Sequence, residues 1–320
     1  MAQIKSVMKA PNTIYPFDYS TIKYPQLAST KFDGFRCLCL CGELWLSPKL
    51  KEIRNRNIDT FLIELRDFAR DHRWVIDGEL WSPIRSFHME PKEEGLSSIF
   101  TTHNRIIPPD CGFYIFDMLY EDDWNNGTEP EFINRYLNYQ QLLTGFPHVH
   151  PVEQFHIKDS HEAEQFFNNQ ILSGHEGMIL RQLHARYKHG RCTENQDGIW
   201  KFKEFETHDA FIIRVEEQMK LKTGVERTRD VLGHLERRFE QDLYEPAGKV
   251  GSFVVNWNGN EFKAKPGKGH NDMIKTAWWE DYLQHPQKWN GKHIEFKYMP
   301  HGTKDAPRIG SLVRFRPDKD

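Results

Sequence analysis

Lys31-Phe32-Asp33-Gly34-Phe35-Arg36 places an amine, a carboxylate and a guanidinium within six residues. Alternating sequence follows at once, Cys37-Leu38-Cys39-Leu40-Cys41, which predicts a strand. A lysine that opens such a unit can act as a nucleophile toward phosphorus or carbonyl carbon when its amine is kept partly neutral. The same residues also suit an exposed Asp-Gly turn flanked by solvated charges. K-x-D-G-x-R fixes four residue types, and a chain this long shows it by accident roughly once in a hundred sequences or less. The other groups that the chain can bring to this lysine decide between the two readings.

The 320 residues suffice for one large domain or two ordinary ones. With 38% hydrophobic and 28% charged residues, the composition is that of a soluble globular protein. No apolar run reaches the length of a membrane span. Met1 to Ala10 lacks the apolar centre of a secretory signal, so a cytoplasmic location is expected, in the host cytoplasm if the chain is viral. Five cysteines, an odd count without framework spacing, read as reduced thiols. Cys37, Cys39 and Cys41 alternate, which predicts one shared strand face. Without C-x-x-C or histidine at zinc spacing, core packing is the expected use. A net charge of −3 counts mildly against a nucleic-acid binder, although distribution matters more than the sum. Aromatic residues make up 13%, with nine tryptophans, and point to large packed surfaces or stacking platforms.

Upstream of Lys31, Leu27-Ala28-Ser29-Thr30 leads in as an extended stretch. Gly42-Glu43-Leu44-Trp45-Leu46-Ser47 fits the second arm of a hairpin. Residues 59–71 carry apolar positions at Phe61, Leu62, Leu65, Phe68 and Ala69, the pattern of an amphipathic helix. Trp74-Val75-Ile76-Asp77-Gly78-Glu79-Leu80-Trp81 predicts a strand with Asp77 and Glu79 on one face. Two carboxylates could mark the polar face of an edge strand, but unbroken apolar flanks suggest a buried strand, where carboxylates need a reason. Residues 82–110 show no clear periodicity and read as a long loop or a few short elements. Residues 111–120 form another buried-type strand, with Phe116 and Asp117 toward its end. Helices are predicted over residues 131–143 and 160–172, the second with Ser160 as N-cap.

Gly174-His175-Glu176-Gly177-Met178-Ile179-Leu180-Arg181 is a strand with its acidic residue at the start, and Tyr187-Lys188-His189-Gly190-Arg191 is a basic turn. In Gly198-Ile199-Trp200-Lys201-Phe202-Lys203 the two lysines share one strand face and the two aromatics the other. Adjacent ammonium groups backed by aromatic packing suit a polyphosphate, and equally suit a solvated surface strand. Beyond residue 205 short strands are predicted over 209–215, 249–257, 261–265, 292–298 and 311–316, with a hairpin turn at Asn258-Gly259-Asn260 and one helix over 271–282. Five short strands and a helix fit a small all-β barrel of the OB type. The boundary is placed near 205–207.

A lysine attacking a nucleoside triphosphate needs four things. The amine must be neutral, and neighbouring cations promote that. A metal must sit on the phosphates, held by hard carboxylates. Cationic donors must stabilise the transferring phosphoryl group and the leaving pyrophosphate. Other groups must orient the ribose and base. Lys31/Asp33/Arg36, Asp77/Glu79, Glu176 and Lys201/Lys203 offer candidates for each.

The ordered set K-x-D-G-x-R, D-G-E, Phe116-Asp117, Glu176-Gly177, K-x-K and the terminal Arg316-Pro317-Asp318-Lys319 resembles the covalent nucleotidyltransferases, which comprise polynucleotide ligases and mRNA-capping guanylyltransferases. The segment from Gly174 to Lys203, with Thr228-Arg229-Asp230-Val231-Leu232-Gly233 further on, resembles the small ATP-dependent DNA ligases of bacteriophages. The resemblance implies an α+β architecture. A nucleotidyltransferase domain (ATP-grasp-like, antiparallel sheets with helices) over residues 1–205 precedes an all-β OB-fold barrel over 206–320.

It also implies roles. Lys31 forms the lysine–AMP phosphoramidate. Arg36 and Glu79 hold the ribose, Phe116 stacks on adenine, and Ser29 and Thr30 line the base pocket. Lys201 and Lys203 contact the α-phosphate. Asp33 and Glu176 serve a divalent cation, magnesium or another. Arg316, Asp318 and Lys319 orient the pyrophosphate. The expected cofactor is ATP, and the expected partner is nicked double-stranded DNA, bound by a monomer without a membrane.

The family often carries Ser-Arg after the first motif, where this chain has Ser47-Pro48; Lys49 or Arg54 could supply that charge. Lys220, Lys222, Arg227 and Arg229, and separately Lys263, Lys265 and Lys268, either track DNA phosphates or are simply solvated. An RNA ligase or a capping guanylyltransferase would use the same lysine chemistry. A catalytically silent OB-fold binder would not need the lysine motif at all.

Overall fold

The computed structural model describes residues 2–11, 17–87, 92–193, 198–225, 241–267, 269–299 and 307–317. The chain divides into two compact units, Met1–Lys203 and Glu204–Asp320. Among the described residues no helix is long and apolar enough to cross a membrane.

The strands of the first unit are β1 (Gln26–Lys31), β2 (Phe35–Leu40), β3 (Leu44–Leu46), β4 (Trp74–Trp81), β5 (Gly112–Tyr120), β6 (Val149–Pro151), β7 (Phe155–Ile157), β8 (Gly177–Arg181) and β9 (Ile199–Lys203). Its helices are α1 (Ile58–Phe61), α2 (Ile63–Asp71), α3 (Leu96–Thr101), α4 (Glu121–Asn126), α5 (Phe132–Leu143) and α6 (Ser160–Leu172). The strands form two sheets, ordered β7-β1-β8-β9 and β3-β2-β4-β5-β6. All pairings are antiparallel except β5 with β6. This is a mixed, nucleotidyltransferase-like architecture of antiparallel sheets with few helices.

The lysine motif is the crossing between the sheets. Lys31 ends β1 in the four-stranded sheet and Arg36 belongs to β2 in the five-stranded one. Gly34 makes the crossing possible. A Cβ there would stand 2.6 Å from the Leu80 carbonyl oxygen and 2.6 Å from Glu79 Cγ. The chain therefore runs directly against β4 only because residue 34 has no side chain.

Several local expectations are revised. The helix predicted over 59–71 is interrupted at Leu62, whose φ of −114° and ψ of 35° leave the helical region while its side chain stays buried. The N-cap of α6 is Asp159, not Ser160. The Asp159 carboxylate accepts from Glu162 N–H (2.9 Å), and Glu162 accepts in return from Lys158 N–H (2.8 Å). The three alternating cysteines do not share a face. β2 stops at Leu40, and Cys41 turns back with φ 50°. Cys37 and Cys39 join the large core beneath α2 and α5, whereas Cys41 packs with Leu38 and Leu40 on the opposite side. All five thiols are buried. Burial pushes Cys39, Cys41 and Cys111 up to about 12, so they behave as small core residues.

The second unit contains β10 (Glu206–Leu221), β11 (Tyr244–Trp257), β12 (Asn260–Ala264), β13 (His293–Met299), β14 (Arg308–Phe315) and α7 (Asp272–Gln284). Its sheet order is β12-β11-β10-β13-β14. Asn258 and Gly259 both take positive φ, 53° and 85°, and Trp257 pairs with Asn260, as a two-residue Asn-Gly turn requires. Ile212, Phe253, Phe296 and Ile294 form the core, with Trp278 of α7 packed edge-on against Phe253. Beyond the end of β12, Lys265 N–H donates to Gly310 (3.0 Å) and its carbonyl accepts from Leu312 N–H (2.8 Å), a parallel bridge to β14.

Candidate active site

Alternation along β1, β8 and β9 sorts their side chains onto two faces. Ala28, Met178, Leu180 and Phe202 bury against α6, and on that face the Thr30 hydroxyl donates to Gln170 at 2.8 Å. The other face carries three cross-strand rows: Leu27–Arg181–Ile199, Ser29–Ile179–Lys201 and Lys31–Gly177–Lys203. One face of one sheet thus collects three lysines and an arginine.

The five-stranded sheet supplies the acidic half. Arg36 lies across from Glu79 in register and binds Asp77 through two hydrogen bonds, Nε to Oδ1 at 3.0 Å and Nη2 to Oδ2 at 2.7 Å. The Tyr187 hydroxyl donates to the same Asp77 Oδ2 at 2.5 Å. Pairing of β4 with β5 slips between Asp77–Asp117 and Gly78–Ile115, leaving Phe116 as the extra residue of a bulge. A bulge re-aims its residue, so Phe116 and Asp117 both border the cavity although they are neighbours in sequence. The Arg36 guanidinium sits 5.0 Å from the Phe116 ring centre. Burial opposes charge on Asp117, but Arg135 (2.7 and 3.0 Å) and Arg181 (2.6 Å) hold its carboxyl below the usual range.

Between the two sheets lies a cavity of about 360 Å³. Ser29, Thr30, Lys31, Arg36, Glu79, Phe116 and Lys201 line it, with Met8, Lys9, Gln154, Arg181 and Arg191. Glu176 and Lys203 join the site through Lys31. The Lys31 ammonium donates to Glu176 Oε2, and Lys203 Nζ donates to Glu176 Oε1 at 2.9 Å. Gly177 permits this triple contact. Its φ is +145°, and a Cβ would stand 2.1 Å from the Phe202 carbonyl oxygen. Burial would raise Glu176, but Lys31 and Lys203 hold its carboxyl below the ordinary value.

Two other lining groups are shifted toward neutrality. Burial raises Glu79 to about 8, outweighing the attraction of Lys31 and Arg36. Burial, with the like charges of Lys203, Lys31 and Arg191, lowers Lys201 to about 8. A protonated Glu79 can donate as well as accept, which suits a sugar hydroxyl.

Other expected residues lie elsewhere. Asp33 is buried and does not line the cavity. Arg54 and Lys49 are exposed, and neither borders it: Leu50, Ile53 and Asn55 take the buried positions of that segment and leave Lys49 and Arg54 on the solvent side. The cations that border the cavity beyond the lysine motifs are Lys9, Arg181 and Arg191. Arg316 belongs to the second unit, where Nη1 donates to Asp209 at 3.1 Å. Lys263 is ion-paired to Glu216 at 2.6 Å and Lys220 to Glu245 at 3.3 Å. Asp318, Lys319, Arg227, Lys268 and the stretch 228–233 lie outside the described residues. Lys9 and Gln154 carried no sequence signal; Lys9 reaches the cavity through its bridge to Arg191, and Gln154 through its place in the connection between β6 and β7.

The sequence model of the ATP-dependent DNA ligase domain matches residues 13–203, the region that contains both sheets. The chain belongs to the ATP-dependent DNA ligase family. Solved structures agree on the fold. A Lig E DNA ligase structure superposes with a TM-score of 0.63 at 20% identity, covering 98% of this chain and 100% of that one. A Chlorella virus DNA ligase-adenylate gives 0.50 at 24% identity over 99% and 100%. No curated protein matches the chain. In this ligase, the lysine of K-x-D-G-x-R is the one whose ammonium meets Glu176 at the cavity.

Proposed function

We propose that this ligase seals nicks in duplex DNA as a monomer, through a covalent AMP on Lys31. The observation that carries the assignment is the Lys31–Glu176–Lys203 cluster at a cavity walled by Arg36, Glu79, Phe116 and Lys201. In the first step the Lys31 amine attacks the α-phosphorus of ATP. An N–P bond forms, the bond to pyrophosphate breaks, and the amine proton leaves. The nick 5′-phosphate then takes the AMP and frees Lys31. Attack by the 3′-hydroxyl forms the phosphodiester and expels AMP.

The residues take the following parts. Glu176 fixes Lys31 and Lys203 on either side of one carboxylate, so the nucleophile and a phosphate-binding cation are held together. Lys201 and Lys203 stabilise negative charge on the α-phosphate. Arg36 and Glu79 orient the ribose, and the two hydrogen bonds to Asp77 fix the Arg36 guanidinium beside Phe116, on which adenine stacks. Ser29 and Thr30 border the base. Arg181, locked by Asp117, leaves its buried Nε–H without an acceptor among the described residues, a donor suited to a purine ring nitrogen.

Among the described residues no three His, Cys, Asp or Glu side chains form a metal cage. A divalent cation carried by the triphosphate needs only one or two protein carboxylates. Glu176, held beside Lys31, is the carboxylate that would hold it, with Asp33 two residues along the lysine motif, behind the cavity lining, as the second candidate. When bound, it supplies charge neutralisation on the phosphates.

In the same proposal residues 1–205 are the adenylation domain and 206–320 an OB-type barrel. The strand order and the Lys265 bridge to β14 support the barrel. Arg316 and Lys319 orient the leaving pyrophosphate. Nicked duplex with a 5′-phosphate, supplied with ATP labelled at the α-phosphate, tests the assignment. Label should appear on the protein, pass to DNA and leave a sealed strand. A folded protein that takes no label from ATP would refute it.

A further inference from the structure

The family match begins at residue 13, yet the segment before it is part of the first unit. Lys9 N–H donates to the Gly190 carbonyl (2.8 Å), and Cys192 N–H donates to the Lys9 carbonyl (2.8 Å). Val7 is fully buried and Met8 nearly so. Met8 N–H donates to the Tyr187 hydroxyl (3.1 Å), the same hydroxyl that holds Asp77. This pairing lays Met8, Lys9 and Ala10 along the cavity and sets Lys9 opposite Arg191 in a parallel bridge.

Both cations border the cavity, and among the described residues neither side chain has a hydrogen bond or an ion pair. The neighbouring carboxylates are already committed, Asp77 to Arg36 and Tyr187, and Asp117 to Arg135 and Arg181. Burial and the like charges of Arg36 and Arg191 depress the Lys9 pKa below the ordinary lysine value. Unpaired cations gathered beside a cavity whose two aspartates are already ion-paired form a site for a multiply charged anion.

We infer that Lys9, with Arg191 beside it, is a phosphate-binding residue of this ligase, supplied from the segment that precedes the family match. The inference rests on the ligase reading of the cavity. The ligand chemistry is a phosphate oxyanion with two possible sources, the triphosphate of ATP and the 5′-phosphate of the nick.

Lys9→Met keeps the aliphatic stem and removes the charge, and Lys9→Arg keeps the charge. Each is compared with wild type for self-adenylation by ATP and for single-turnover transfer from preformed enzyme–AMP to nicked DNA. Loss of one charge-assisted contact should raise the relevant KM in Lys9→Met by about 10- to 100-fold, with Lys9→Arg restoring most of it. A rise in the KM for ATP alone assigns the triphosphate, and a rise for the nicked duplex alone assigns the 5′-phosphate. Unchanged KM values in both reactions overturn the inference. So does an equal loss in Lys9→Met and Lys9→Arg accompanied by a lowered melting temperature, which marks a structural role. Wild-type protein that takes no label from ATP refutes the ligase reading instead, so the two failures are distinguishable.

Discussion

Lys31 can attack phosphorus only with a free lone pair, and its ammonium is tied to Glu176. Triphosphate must therefore break or weaken that pair before the first step. Lys31→Ala should abolish label transfer from α-labelled ATP to the protein. It should still close a chemically pre-adenylated nick, because that step makes no bond to Lys31. Scoring both reactions on one preparation separates loss of the nucleophile from loss of fold. Lys201 gives a second single-residue prediction. Its pKa of about 8 means that its charge is lost as pH rises through that value. The KM for ATP in self-adenylation should climb by ~10-fold over the ~2 pH units above this point. Lys201→Arg, whose guanidinium does not titrate there, should keep the KM flat over the same range.

Two glycines set how closely the strands approach around the lysine. At Gly34 an added methyl meets backbone of β4, and at Gly177 it meets backbone of β9 at a φ that other residues rarely adopt. Backbone cannot yield as a side-chain tip can, so Gly34→Ala and Gly177→Ala should each cost ~2 kcal/mol or more, measured by denaturant unfolding. Gly177→Ala should also separate Lys203 from Glu176 and slow adenylation more than the stability loss explains. The same element-level view shows what sequence can and cannot reveal. Apolar strand-forming runs located β4, β5 and β8, and alternation within β4 and β9 located Glu79 and the Lys201/Lys203 face. The Asn258-Gly259 dipeptide located its own turn. Alternation could not show that β2 stops at Leu40 and sends Cys41 to the other side, because that depends on a left-handed residue at the strand end. It could not show the slip that turns Phe116 inward, since a bulge is a property of the strand pair. Lys9 was silent because it reaches the cavity through a partner far away in sequence, and Gln154 because it lies in a loop with no pattern of its own.

At the scale of the whole molecule, the cavity's displaced titrations should be visible in the pH dependence of folding. Glu79 has a folded pKa of about 8 against an ordinary 4.5. Between those values the folded protein keeps a proton that the unfolded chain has released. Stability therefore falls as pH rises through this window. Lys201 has a folded pKa of about 8 against an ordinary 10.5. Between these values the unfolded chain holds the extra proton, so stability recovers as pH rises further. The two contributions together make a minimum near pH 8, each limb having a slope of up to ~1.4 kcal/mol per pH unit. Other groups titrate over the same range, so the useful quantity is the difference between variants. Glu79→Gln should flatten the acidic limb of the melting-temperature profile and leave the alkaline limb in place. Lys201→Met should do the reverse. Saturating ATP should flatten the alkaline limb, because phosphate favours the charged form of Lys201 and so raises its pKa toward that of free lysine. If Glu79→Gln and wild type run parallel from acid pH to 8, Glu79 is ionised in the folded state. It then meets the ribose as a carboxylate acceptor and not as a donor.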